Sequence, residues 1–143
     1  MARRPALLLI PLVALAAALA GCGGTFMTST PVFARFNADR ILQEFKAQGL
    51  RADGAQELPK DGQWAGAPRY GEARSFLAGK GNGVPATIFV FDSPGDLNAM
   101  TDYLKKKYGG HYRLIANENA ILVFWSTRDD GTTPYDAALL AIH

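Results

Sequence analysis

The side chains that most often carry chemistry are scarce in this chain. Cysteine occurs once, at Cys22, and histidine twice, at His111 and His143. A metal site needs several soft or imidazole ligands that converge on one point, and a single thiol cannot form an internal disulfide. Because His143 is the last residue of the sequence and His111 follows two glycines, we expect both imidazoles to lie in solvent. The sequence therefore predicts no metal site.

Two loops share only part of a ligand-binding pattern. The run GKGNG at 79–83 lacks the spacing of a phosphate loop, and a strand rather than a helix is expected after it. The run DDG at 129–131 lacks the further carboxylates of a calcium loop. We interpret the first as a connection between strands and the second as a turn, so no cofactor is predicted.

No familiar catalytic constellation occurs in the sequence. The chain contains no GxSxG motif, and neither histidine has a recognisable partner. Asp92 and Asp96 could serve as an acid and a base, but their spacing around Ser93 and Pro94 already fits a helix start. The sequence predicts no catalytic residue, and a triad that assembles only in the fold stays open.

The loop 59–72, PKDGQWAGAPRYGE, contains Trp64, Arg69 and Tyr70. These three residue types are enriched at binding hot spots, and long irregular loops often carry function. The loop is therefore a candidate interaction site. The alternative is that Trp64 and Tyr70 fold inward as a lid over the core, because an exposed tryptophan favours unwanted association.

The first 21 residues differ in kind from the rest. Arg3 and Arg4 precede an apolar run from Ala6 to Ala20 that contains no charged side chain. This pattern is typical of a secretory signal. A helix needs roughly 20 apolar residues to cross a membrane, and this run is shorter.

The signal ends in Leu19-Ala20-Gly21-Cys22, which resembles the lipobox of bacterial lipoproteins. The resemblance implies that diacylglycerol is attached to the Cys22 sulfur and that the chain is cut just before this residue. Several acyl chains, palmitate among them, would then anchor the protein, since each buried CH₂ contributes about 0.8 kcal/mol. The alternative is an ordinary signal peptide that leaves a free thiol. We expect a cleaved signal at 1–21, the lipidated cysteine with a flexible tether at 22–35, and one globular domain at 36–143.

Charge argues against a nucleic-acid partner. The chain has 15 basic and 13 acidic residues, and loss of Arg3 and Arg4 with the signal would leave 13 of each. A neutral domain has no electrostatic footprint for nucleic acid. The only basic run, at 105–107, is explained by the end of a helix, where the helix dipole favours positive charge.

Apolar periodicity and turn residues predict the elements of the domain. One helix begins after Asn37 and ends at Gly49, and a second begins after Ser93 and ends at Gly109. A third, short helix begins with Thr133 as its cap. Strands are expected at 73–78, 86–91, 111–116 and 120–126, with an edge strand or a loop within 50–58.

The element order predicts the fold class. With 143 residues and 48% hydrophobic residues, the chain can build one domain and cannot be a multidomain enzyme. Short connections favour an antiparallel sheet. We therefore expect an α+β fold, a two-layer sandwich in which a mainly antiparallel sheet of four to five strands has its helices packed on one face.

The domain also resembles small exported bacterial lipoproteins of uncharacterised function. The segments that carry this resemblance are FKAQGL, FVFDSPGDLNAMTDYL, NENAILVFWS and PYDAALLAI, within residues 36–142. The resemblance implies a fold and an exported location. None of these segments contains a catalytic motif, so it implies no reaction.

The sequence thus predicts an exported lipoprotein of the cell envelope, held at the outer face of the cytoplasmic membrane or in an outer membrane. The expected function is a non-catalytic ligand-binding or protein-interaction module. Its expected partners are membrane lipid, through acylated Cys22, and an envelope protein or a small ligand. The alternative is a small envelope hydrolase, which would require a polar pocket with converging acidic or imidazole groups.

Overall fold

A five-stranded antiparallel sheet organises the chain in the computed structural model, which describes residue 33 and residues 36–59 and 64–143. Its strands are β1 (Asp53–Glu57), β2 (Glu72–Ala78), β3 (Val84–Val90), β4 (Arg113–Asn117) and β5 (Ala120–Phe124). Three helices accompany them: α1 (Ala38–Ala47), α2 (Pro94–Tyr108) and α3 (Thr133–Leu140). The strand order is β1-β2-β3-β5-β4, and every neighbouring pair is antiparallel. The predicted α+β class and antiparallel sheet are confirmed.

Helix α1 begins and ends where the sequence predicts. The Asn37 side chain accepts a hydrogen bond from the Arg40 amide at 2.7 Å, which satisfies one of the free N–H groups of the first turn. At the other end Gly49 has a φ of 72°, and the Leu50 amide donates back to the Phe45 carbonyl at 2.8 Å. This left-handed C-terminal turn satisfies carbonyls of the last turn that the helix leaves unpaired.

Helix α2 begins after Ser93, as predicted. Ser93 Oγ accepts from the Asp96 amide at 3.1 Å and donates to Asp96 Oδ2 at 2.7 Å. Pro94 occupies the first helical turn, where its missing N–H costs nothing. Gly109, with a φ of 55°, caps the C-terminus after the three lysines of the last turn. These lysines lie beside the negative end of the helix dipole, as expected.

Helix α3 lies where predicted, but Thr133 is its first residue and not its cap. No side chain at the capping position Thr132 closes the first turn. The cap comes instead from Asp129, whose Oδ1 accepts from the Thr132 amide at 2.9 Å and the Thr133 amide at 3.0 Å. The DDG run is therefore a turn, as predicted, with the added role of closing the helix.

The two faces of the sheet carry separate cores. On one face, alternate residues such as Ile88 and Leu122 pack with buried side chains of α1 and α3. On the other face, Phe89 and Ile121 pack with Met100 and Leu104 of α2. The expectation that all helices share one face is therefore wrong for α2. The continuous burial of β5 follows from this arrangement, because a strand covered on both faces is apolar at every position.

The N-terminal features predicted from the sequence fall largely outside the described residues. The signal at 1–21, Cys22 and all of the tether except Phe33 belong to that part of the chain. Residues 31–143 form one compact unit. Among the described residues, no helix is long and apolar enough to cross a membrane.

Candidate functional site

Two of the three loop residues proposed as an interaction site are buried. Trp64 is 3% exposed and Tyr70 is 7% exposed. Both rings meet Phe89 edge to face, with centroids 5.0 and 5.4 Å apart. Arg69 is exposed. The loop thus places its aromatic rings over the α2 face of the sheet, as the alternative of an inward-folded lid predicts. Contact of the exposed Arg69 with a partner stays a prediction.

The loop also leaves one polar atom in the core. Trp64 Nε1 is buried and has no hydrogen-bond partner among the described residues. Removing a buried donor from water without a partner costs free energy. The aromatic contacts of Trp64 must therefore stabilise its position enough to outweigh this cost.

Among the described residues, α2 and Trp64 leave part of the same face of the sheet uncovered. It forms a groove of about 350 Å³ that crosses β1, β2 and β3 and ends at Trp125, directly after β5. We call it the Trp125 groove. Its described lining residues are Gly54, Gln56, Leu58, Ser75, Phe76, Leu77, Pro85, Ala86, Thr87 and Trp125. None of these carries a charge, in a chain in which 20% of residues are charged.

A row of polar side chains crosses the floor of the groove. Gln56 of β1 is paired in register with Ser75 of β2, which is paired with Thr87 of β3. Directly paired residues of an antiparallel sheet point to the same face. Leu77 and Pro85, the next pair on this face, lie beside the row. The groove therefore offers the amide of Gln56 and the hydroxyl of Ser75 next to an apolar strip, while Thr87 is buried at the end of the row.

Trp125 is held in place at the end of this row. Its backbone amide donates to the Pro85 carbonyl at 2.9 Å, and its indole Nε1 donates to Thr87 Oγ1 at 2.9 Å. Its ring contacts those of Tyr108 and Tyr112, with centroids 5.1 and 6.2 Å away. The half-buried indole is thus fixed before any ligand arrives.

A second, polar cleft of about 700 Å³ lies between the β2–β3 connection and the loop before α3. Its groups serve the fold. The Lys80 amide donates to the Asp130 carbonyl at 2.9 Å, which joins the two loops. The Asp129 carboxylate closes α3, and hydrogen bonds from Thr133 and Thr132 lower its pKa from 3.8 to about 2. A carboxylate so occupied is a weak proton acceptor, so we assign this cleft a structural role.

The remaining candidate chemistry stays apart. His111 and His143 are exposed. In the described ranges no three side chains of the His, Cys, Asp and Glu types come together as a metal site would require. Asp92 is exposed, and Asp96 is engaged with Ser93 in the cap of α2.

Sequence reasoning missed the Trp125 groove. A signal was available, because Ser75 and Thr87 are the polar residues at alternate positions of β2 and β3 that otherwise carry apolar side chains, Ala73 and Leu77 in β2 and Pro85 and Phe89 in β3. What the sequence did not reveal is that α2 covers only part of this face. Comparisons of the chain with protein-family models, curated proteins and solved structures gave no match.

Proposed function

We propose that this chain is an exported lipoprotein, anchored by acyl chains on Cys22, whose domain is a non-catalytic module that binds a ligand in the Trp125 groove. The anchor rests on the sequence Leu19-Ala20-Gly21-Cys22 and the apolar run before it. The binding role rests on the geometry of the groove. The two parts are tested separately.

The observation that carries the binding role is the set of unengaged polar groups on a fixed surface. Within the described part of the chain, the side chains of Gln56 and Ser75 make no hydrogen bond. Both line the same groove as Trp125, whose indole is already fixed by Thr87. Ligand sites combine apolar walls with a few polar groups held ready in this way.

The described lining supports binding rather than acid–base chemistry. It contains amide, hydroxyl, aliphatic and indole groups, and none of these ionises near neutral pH. General acid–base catalysis needs a group whose pKa lies near the working pH. The groove supplies hydrogen bonds and apolar contact instead.

The tether would keep this module close to the membrane. The spacer at 23–30, GGTFMTST, is rich in small and polar residues, and a flexible chain of this length reaches roughly 15–25 Å. The ligand would therefore be a component of the envelope near the lipid surface.

The binding role is tested by native mass spectrometry of the full chain after exposure to an extract of its own envelope. We expect a discrete adduct with the wild type. The variant Gln56→Ala should reduce the fraction of chains that carry it, because the exposed Gln56 side chain makes no hydrogen bond to another described residue and its amide is free for the ligand. The matched control is Gln43→Ala, which removes an exposed glutamine from α1 on the opposite side of the sheet. An adduct retained equally by both variants would place the ligand elsewhere, and a bare chain would remove the support for a binding module.

A further inference from the structure

The Trp125 groove points to one class of ligand. We propose that it binds a neutral oligosaccharide, with a sugar ring stacked on the Trp125 indole and its hydroxyls on the side chains of Gln56 and Ser75, while Thr87 holds the indole in place. This inference rests on the proposed function and names the ligand of the same site. It is carried by charge, by the kind of hydrogen-bonding group and by the placement of the indole.

The uncharged lining of the groove favours a neutral ligand. No described residue of the lining is charged. A phosphate, a carboxylate or an ammonium group brought into the groove would lose water without gaining a counter-charge, which is unfavourable. Sugars without acidic or amino groups meet no such penalty.

The hydrogen-bonding groups of the groove are side chains. The backbone N–H and C=O groups of β2 and β3 are paired with those of their neighbours, since β2 lies between β1 and β3, and β3 between β2 and β5. Recognition on this face therefore depends on the Gln56 amide and the Ser75 hydroxyl, which both donate and accept. Such groups match hydroxyls that likewise donate and accept.

The fixed indole supplies the apolar half of the site. A pyranose has a face of C–H groups that packs on an aromatic ring while its hydroxyls point to the sides. Trp125 lines the groove, and its ring is oriented by Thr87 and by the neighbouring Tyr108. Little conformational freedom is then lost on binding, which favours affinity.

A peptide added as a further strand fits the structure less well. Of the two edge strands, β1 is the one that lines the groove, and its pairing with β2 shifts register between Asp53 and Gln56. Gly54 within it has a φ of 61°, and Asp53 and Glu57 place exposed charges along the strand. Bulges and charges of this kind oppose strand addition. A peptide ligand is therefore an outcome of the test and not the proposal.

The test uses the full chain in a detergent without a sugar headgroup. The neutral probes are cellotriose, maltotriose and chitotriose. Trigalacturonic acid serves as the charged counterpart, and a capped Ser/Thr/Ala decapeptide as the peptide probe. Binding is followed by tryptophan emission and by saturation-transfer NMR on the ligand protons. We expect at least one neutral trisaccharide to bind and trigalacturonic acid to bind at least about 10-fold more weakly.

Gln56→Ala should weaken binding of the neutral trisaccharide roughly 2- to 10-fold, the effect of one net hydrogen bond. Ser75→Ala should act in the same direction, and Gln43→Ala should not change the affinity. Circular dichroism of each variant checks that the fold is retained. Binding that is unchanged in Gln56→Ala and Ser75→Ala would overturn the assignment, as would failure of every neutral trisaccharide.

These results separate the ligand class from the proposed function. Binding of the decapeptide alone, weakened by Gln56→Ala, would overturn the sugar ligand and leave a binding module. If neither the probes nor an envelope extract gives a complex, both fail. If the native chain binds the sugar but carries no acyl chain on Cys22, the ligand class is supported and the proposed anchor is contradicted.

Discussion

At the residue scale, the Tyr135 hydroxyl joins three segments of the chain. It donates to the Arg51 carbonyl at 2.6 Å and accepts from the Gly79 amide at 2.9 Å. Its ring is 1% exposed and meets Phe45 edge to face. Helix α3 is thereby fixed to the segment after α1 and to the connection after β2.

We expect Tyr135→Phe to lower the free energy of unfolding by about 1–3 kcal/mol, because two backbone groups lose their partner in a part-buried setting. Urea denaturation measures this change. The matched control is Tyr112→Phe, since the Tyr112 hydroxyl makes no hydrogen bond to any described residue, and its effect should stay within about 0.5 kcal/mol. Equal effects of the two variants would contradict the role assigned to Tyr135.

The stability that Asp129 gives to the start of α3 depends on pH. Its pKa lies at about 2, below its ordinary value of 3.8, chiefly because the Thr133 hydroxyl donates to its carboxylate. A group with a lowered folded pKa stabilises the fold above its unfolded pKa, and this contribution is lost as the pH falls through the folded pKa. The contribution of Asp129 is thus present above about pH 4 and disappears towards pH 2.

Thr133→Ala should raise the pKa of Asp129 towards 3.8, because the largest cause of the shift is removed. Carbon-detected NMR titration of the carboxyl measures the pKa directly. Asp129→Asn removes the titrating group, so the dependence of stability on pH between about 4 and 2 should become flatter than in the wild type. An unchanged Asp129 pKa in Thr133→Ala would show that another interaction holds it.

At the element scale, α2 decides what the sheet exposes. It packs on the face opposite α1 and α3 through Met100 and Leu104, which are both fully buried. The segment around Trp64 covers the neighbouring part of the same face. The Trp125 groove lies next to the area that they cover, and the Trp125 ring at its end contacts both Trp64 and Tyr108 of α2.

Leu104→Ala should lower the free energy of unfolding by about 2–5 kcal/mol, as expected when a fully buried leucine is truncated. The matched control is Leu140→Ala in α3, where the side chain is 53% exposed, and its effect should stay within about 0.5 kcal/mol. Chemical denaturation followed by circular dichroism compares the two. A small effect at Leu104 would contradict the packing of α2 on the sheet.

Two loops meet at the end of the sheet, the β2–β3 connection and the loop before α3, and their backbones are in direct contact. Gly79 has a φ of 73°, and a Cβ placed on it would lie 2.4 Å from the Asp130 carbonyl oxygen. Gly81, in the same connection, has a φ of 60° with no atom within 4 Å of such a Cβ. Substitutions at the two glycines therefore distinguish the cost of backbone strain, present at both positions, from the cost of steric contact, present at Gly79 alone.

Gly81→Ala should lower the free energy of unfolding by about 1–2 kcal/mol, the cost of a left-handed conformation for a residue with a Cβ. Gly79→Ala should cost about 2–4 kcal/mol, because overpacking against Asp130 adds to the strain. Thermal and urea denaturation of both variants measure the difference. An equal loss of unfolding free energy in the two variants would show that the two loops can move apart without lowering stability.

At the scale of the whole molecule, the net charge gives the proposed membrane attachment little support, so this attachment would depend on the lipid. Without the signal, the chain would carry 13 basic and 13 acidic residues, and a neutral protein has little attraction to an anionic surface. Several acyl chains on one residue give stable anchoring, which is insensitive to salt.

We therefore expect the wild type to stay in the membrane fraction through washes at high salt and to incorporate labelled palmitate. Cys22→Ala should lose the label and leave that fraction. A control variant, Ser29→Ala in the spacer, should behave as the wild type. If Cys22→Ala still fractionated with membranes through the salt washes, the lipid anchor would be overturned.

The ends of the helices could be predicted from the sequence where one or two neighbouring residues determine them. Asn37 and Gly49 bound α1, and Ser93 with Pro94 starts α2, because capping depends on neighbours within a few positions. The cap of α3 was assigned to the wrong residue, since Asp129 reaches it from outside the pattern. The α+β class followed from the order of these elements.

The sequence alone determined the helices and four of the strands, their order and the expected lipid address, because these depend on local patterns; it left 50–58 open as an edge strand or a loop, and the structure forms β1 there. Only the tertiary structure decided on which face α2 lies, that Trp64 and Tyr70 are buried, and that Gln56, Ser75 and Thr87 line up beside Trp125. The physical reason is that strand register and helix placement follow from packing between residues far apart in the chain. The candidate site is a product of that packing.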